Sequence, residues 1–153
     1  MVSGGRGGPF VRSALLCEKV LHERDGVVSY IRVVDRITRT DRRTDAPEAL
    51  EPFQHSTFAA ISFVSGDARG RHTVVMELEP PSGLKKQIAS VDIQFEGGNK
   101  AAALAAQLNI TLDAEGIHWI HVLLDGQPMT QIPLEVQYRR VPAATPGQPP
   151  PPQ

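Results

Sequence analysis

Along most of this chain apolar residues recur at every second position, and the runs stop at glycine, proline and Asp-Gly breaks. A spacing of two puts successive side chains on opposite faces, which marks strands with one buried face and is incompatible with an amphipathic helix. Residues 11–21 and 27–37 form the first two runs, split by Glu23, Arg24, Asp25 and Gly26. Residues 56–64 and 72–79 follow, separated by Ser65 to Gly70, and the turn Pro80, Pro81, Ser82, Gly83 precedes residues 84–95. After Gly97 and Gly98, an alanine-rich segment has helix propensity, yet Leu104, Leu108, Ile110 and Leu112 keep to even positions. That alternation predicts a strand and places these four leucine and isoleucine side chains in the core. With residues 116–124 and 130–138 the pattern predicts an all-β chain, an antiparallel β-sandwich of about eight strands.

The chain of 153 residues is long enough for one such domain and too short for two. Neither end has core periodicity. Residues 1–9 are glycine-rich and residues 141–153 are mostly Pro, Ala, Gly and Gln, so the expected division is a disordered arm at 1–9, a β-sandwich domain at 10–140 and a disordered proline-rich tail at 141–153. Lys and Arg number 16 against 17 Asp and Glu. This balance supplies no field for general nucleic-acid or membrane binding. Cys17 is the single cysteine, which points to a reducing compartment. The apolar stretch before it is too short for a signal sequence, Leu16 stands where a lipoprotein cleavage site has a small residue, and no run reaches membrane-span length. The expectation is a cytoplasmic protein.

Catalytic and metal-binding patterns are weak. His118 and His121 are three apart, a spacing for helices, but on a strand they point to opposite faces. His22, His55 and His72 are scattered without a zinc-ligand spacing. Cys17 alternates with Leu15 and Ser13 and reads as a small buried hydrophobe. No serine sits in a nucleophile elbow, and Gly97, Gly98, Asn99, Lys100 lacks the phosphate-loop spacing and reads as a turn. No catalytic residue, cofactor or metal is expected. The longest irregular stretch, 38–54, carries Arg39, Arg42 and Arg43, which suit a phosphate or carboxylate, but Asp41, Asp45, Glu48 and Glu51 neutralise them locally.

The last hairpin is the most informative segment. Requiring the apolar even positions of both strands to share a face excludes a two-residue turn at Asp125-Gly126 and favours a three-residue loop ending at Gln127. Ile120 then pairs with Ile132 and His118 with Leu134, while Trp119 stands opposite Pro133 and Leu123 opposite Met129, with Ile117 nearby on the outer face. An apolar group of this kind is normally covered. The candidate interface is therefore Ile117, Trp119, Leu123, Met129 and Pro133, meeting a second copy or another protein; the alternative cover is the 38–54 loop or a neighbouring strand.

Leu15, Leu16, Cys17 and Glu18 with Asp25-Gly26, the Pro81, Ser82, Gly83 turn, and Gly116, His118, Val122, Leu124, Asp125 and Gly126 resemble, over residues 14–138, a bacterial family of uncharacterised immunoglobulin-like β-sandwich domains. The resemblance implies the fold and brings no active site. It also implies that His118 stands where such sandwiches usually carry an inward tyrosine bonded to a backbone group at a strand corner. The function expected is a non-enzymatic binding or assembly module. The alternatives are a small-molecule or carbohydrate binder using the loops at one end, and a hydrolase if a histidine meets Asp and Ser.

Overall fold

Two of the glycine-rich breaks that resemble chain reversals in the sequence bend continuous strands instead. The computed structural model describes residues 7–141. Its seven strands are β1 (Phe10–His22), β2 (Val28–Val33), β3 (Arg36–Asp41), β4 (Phe53–Glu79), β5 (Lys86–Leu112), β6 (Gly116–Leu124) and β7 (Gln127–Arg140). The chain is all-β, as expected, but the count of about eight is corrected to seven. Segments 56–64 and 72–79 fuse into β4, 84–95 and 101–112 fuse into β5, and 27–37 divides around Val34 and Asp35 into β2 and β3.

The strands form one hydrogen-bonded sheet ordered β2-β1-β4-β6-β7-β3, with β5 paired to β4. β1 lines the first half of one edge of β4 and β6 the second half, while β5 follows the opposite edge throughout. The two layers expected of a sandwich are thus two halves of one sheet that share a core. β3 also departs from the antiparallel expectation: it leaves β1 and pairs in parallel with β7, Ile37 beside Val136.

Folding the sheet over one core requires the inward parity of the long strands to switch. In β4 the buried residues are mainly the odd positions Thr57, Ala59, Ile61, Phe63 and Ser65, with Ala60 also covered, and then the even positions Val74, Met76 and Leu78. Register shifts at Val64/Gly66 and Gly66/Arg69 lie between the two sets, where bulges insert residues and reverse which positions face inward. β5 does the same at Gly97 and Gly98, both at positive φ, with Ile93 and Phe95 inward before them and Ala102, Ala106, Leu108, Ile110 and Leu112 after. The expected turn there is a kink within a strand. Phe63 and Phe95, one from each half, meet edge to face with centroids 5.6 Å apart.

Leu108, Ile110 and Leu112 are buried as expected and Leu104 packs half-buried against them, so cross-strand pairing with β4 overrides the helix propensity of the alanines. Each fully buried leucine or isoleucine contributes about 1.5–3 kcal/mol by leaving water. The irregular stretch expected at 38–54 is shorter, because β3 takes its start and β4 its end. Leu50 drops from it into the core, and the Tyr138 hydroxyl donates to the Pro47 carbonyl at 2.9 Å. The arms expected at 1–9 and 141–153 lie outside the described residues except for 7–9 and Val141. Gly7 there exchanges hydrogen bonds with Asp67, and the Val141 N–H donates to the Asp41 carbonyl.

Candidate functional site

The β6–β7 hairpin turns on two residues, Asp125 at φ 48° and Gly126 at φ 82°, which is the backbone of a tight type I′ reversal and the reason an Asp-Gly pair suits it. The three-residue loop expected from register is therefore corrected. A bulge between Val122 and Leu123 absorbs the extra residue, so Leu124 pairs with Gln127 and Leu123 with Pro128, while Val122–Thr130, Ile120–Ile132 and His118–Leu134 pair as the apolar pattern requires. The tight turn and the matched core face are both satisfied.

This geometry sorts the five candidate interface residues. Trp119 stands opposite Pro133. Ile117 is 50% exposed, Pro133 is exposed, and Trp119 and Leu123 are half-buried. Met129 does not join them: it sits in the bulge, unpaired with Leu123, and packs half-buried against the core. On the β4 side Glu79 lies beside Trp119, and its carboxylate takes the His121 Nε2 at 3.1 Å and the Lys85 ammonium at 3.8 Å. The face is thus an apolar group of Ile117, Trp119, Leu123 and Pro133 bordered by a charged cluster. The contacts of the neighbouring loop run to the core-facing side of β7 through Leu50 and Pro47.

His118 and His121 point to opposite sides of β6, the first fully buried and the second against Glu79, so they share no ion. Nδ1 of His118 is 3.4 Å from the Gly116 carbonyl, and its Nε2 has no partner among the described residues. The corner bond implied by the family resemblance is thus long and weak. Burial pushes the His118 pKa below its ordinary value. Cys17 is buried and its thiol pKa is raised by desolvation, which suppresses thiolate nucleophilicity. Among the described residues no three His, Cys, Asp or Glu side chains are grouped to hold a metal ion.

One pairing had no signal in the sequence. His72 and Asp125 are 53 residues apart, yet β4–β6 pairing brings them together, and Nδ1 of His72 bonds the Asp125 carboxylate while Nε2 bonds the Arg69 carbonyl at 2.9 Å. Both partners are acceptors, so the arrangement favours the imidazolium, which donates to both, and the His72 pKa is raised first by Asp125. Asp125 also accepts from the Thr73 N–H at 3.0 Å, the main cause of its own lowered pKa. With neither nitrogen free, this pair is no general base.

A cavity of about 380 Å³ opens between β3, β7 and the 42–52 loop, lined by Arg39, Asp41, Arg43, Leu50, Phe53 and Tyr138 among others. Its arginines are engaged. Arg43 holds Asp41 at 2.6 Å and Glu51 at 3.6 Å, which brings the Asp41 pKa to about 2, and the Arg39 guanidinium lies 4.8 Å above the Phe53 ring.

No curated protein matches the chain. Among solved structures it is similar to a β-glucosidase from Thermotoga neapolitana in complex with glucose, at 8% identity and TM-score 0.45, over 59% of this chain and 16% of that one. An alkylpurine DNA glycosylase from Pseudomonas fluorescens is 9% identical with TM-score 0.41, over 67% of this chain and 27% of that one. An immunoglobulin-like protein from Pseudomonas aeruginosa is 11% identical with TM-score 0.39, over 88% of this chain and 100% of that one. The chain thus spans only 16% and 27% of the first two proteins. Among the described residues no helix is long and apolar enough to cross a membrane. A family model described as "Family of unknown function (DUF6941)" matches residues 12–137, nearly the whole ordered sheet, and the chain belongs to that family.

Proposed function

We propose that the protein is a non-enzymatic binding or assembly module that meets a protein partner through the outer face of the β6–β7 hairpin. The observation that carries this reading is the pairing of Trp119 with Pro133 beside half-exposed Ile117, on a face turned away from the core. Large flat side chains presented by a rigid sheet lose little entropy on binding and make effective anchors. The charged cluster of Glu79, His121 and Lys85 at its border gives the contact its polar rim. Hydrolytic chemistry has no comparable support, since the His72–Asp125 pair has both ring nitrogens occupied.

The test is capture from the native host with the full chain as bait, wild type against Trp119→Glu, followed by reconstitution with the purified captured protein. A partner that binds wild type directly and loses the variant supports the reading; identical binding by both refutes it.

A second reading, a small-molecule or carbohydrate binder, is favoured by the cavity at the loop end, where Phe53 and Tyr138 supply aromatic surface. Ligand-dependent rise in melting temperature that is abolished by Phe53→Ala supports it, and no response across a sugar and small-anion panel counts against it.

A further inference from the structure

The face that carries Trp119 offers side chains and no free backbone. β7 is bonded to β6 on one side and to β3 on the other, so an occupant of this face gains nothing from strand addition. A polyproline II segment suits such a place. It has no internal hydrogen bonds, its prolines have no N–H to satisfy, and it docks on aromatic side chains in a conformation set before binding.

The chain carries a segment of this composition within reach. The Val141 N–H donates to the Asp41 carbonyl, so the backbone leaves the end of the β3–β7 ladder at a fixed point. Residues 142–153 lie outside the described residues; their sequence has Pro149, Pro150, Pro151 and Pro152 in one run and no Asp, Glu, Lys or Arg. Along β7, Pro133 lies eight residues before Val141, about 26 Å at the usual strand rise. A polyproline II path that reverses at Pro142 runs back at about 3.1 Å per residue, covering about 22 Å by Pro149 and about 31 Å by Pro152. That interval brackets Pro133, and Trp119 stands opposite it. On the way it crosses Gln137 and Glu135, where Arg36 holds the Glu135 carboxylate at 3.1 Å, so an uncharged segment meets a neutralised surface.

We propose that residues 142–153 of the same chain return over the outer face of the β6–β7 hairpin and seat the run of four prolines on Trp119. The prolyl rings pack on the flat of the indole, and the indole N–H donates to a carbonyl that polyproline II leaves unpaired. The inference rests on the reading of this face as a binding surface and adds its regulation, because a protein partner has to displace the tail.

Trp119 is the single tryptophan, so acrylamide quenching of intrinsic fluorescence reads this position alone. The full chain is compared with two variants. One carries Pro149→Ser, Pro150→Ser, Pro151→Ser and Pro152→Ser; the other lacks residues 143–148, which keeps the four prolines but takes about 19 Å from their reach. Both are expected to raise the quenching constant about twofold and to shift emission to the red, since a linker too short to span its sites gives no intramolecular contact. Cooperative urea unfolding is expected to persist in both. Quenching equal to wild type in either variant overturns the proposal. So does wild-type protection that weakens on dilution, which would put the tail of a second copy on the face, or a variant that loses cooperative unfolding, which would make the tail part of the core. The fluorescence is read with no partner present, so failure of the partner reading in the capture experiment is distinguishable from failure of this one.

Discussion

Trp119 and Pro133 stand directly opposite each other on the outer face of the last hairpin, while their strand neighbours Ile120 and Ile132 pair on the inner face and are buried. The two pairs assign different roles to adjacent residues. Ile120 holds the fold together, and Trp119 is free to serve elsewhere. Trp119→Glu is therefore expected to leave the cooperative thermal transition in place, with a loss of no more than about 1 kcal/mol, the usual range for substitutions away from the core. Unfolding of this variant at room temperature would move Trp119 into the structural core.

Leu108 lies at the centre of the inward row of β5, fully buried and paired with Thr57 of β4. Truncation removes a fully buried side chain from the core cluster and leaves a cavity in its place. Leu108→Ala is expected to cost about 2–5 kcal/mol in denaturant unfolding. A loss below 1 kcal/mol would contradict the packing described for this row.

The His72–Asp125 pair gives stability a dependence on pH with a definite sign. Asp125 raises the His72 pKa, so the histidine's contribution is complete below its ordinary pKa of about 6.5 and is lost as pH rises through the higher folded value. The Asp125 pKa is lowered by the Thr73 N–H and then by His72, so its contribution is present above about 3.9 and lost as pH falls through the lower folded value. The pair stabilises most between those limits, and the effect is small because the Asp125 side chain is half exposed. Melting temperatures of wild type are expected to fall between pH 6 and about pH 8.5 by more than those of His72→Gln. Parallel profiles would show that the pair is energetically silent.

His118 acts in the opposite direction. Burial lowers its pKa, so below about pH 6.5 the unfolded chain takes up a proton that the folded chain refuses, and stability falls as the solution is acidified. His55, also lowered by burial, adds to the same slope. His118→Leu removes one titrating group and the unpartnered Nε2, and is expected to shrink the loss of urea midpoint between pH 8 and about pH 5. An unchanged loss would assign the acid sensitivity to other groups.

Much of the fold is legible in the sequence because it follows from alternation alone. The inward row of Leu108, Ile110 and Leu112 and the pairings of Ile120 with Ile132 and His118 with Leu134 need only a matched apolar face. What alternation does not carry is how a strand continues across a bulge. Ser65 to Gly70 and Gly97-Gly98 have turn residues, yet each kinks a strand and switches its parity, which hides two long strands as four short ones. The same device misplaced Met129. Its position on the outer face followed from excluding the Asp125-Gly126 turn, whereas the bulge beside Leu123 permits that turn and sends Met129 toward the core. The parallel contact of β3 with β7 and the meeting of His72 with Asp125 depend on long-range topology, for which local spacing holds no signal.

The central claim, that the Trp119 face meets a protein, is tested most directly by site-specific photo-crosslinking. A photoreactive amino acid is placed at Ile117, which is 50% exposed on that face, and as a control at Asp113, which is exposed just before the strand. Irradiation in the native host is expected to give one discrete crosslinked species from position 117, lost when Trp119→Glu is added, and none of that species from position 113. No discrete product from position 117, or the same product from both positions, would contradict the account.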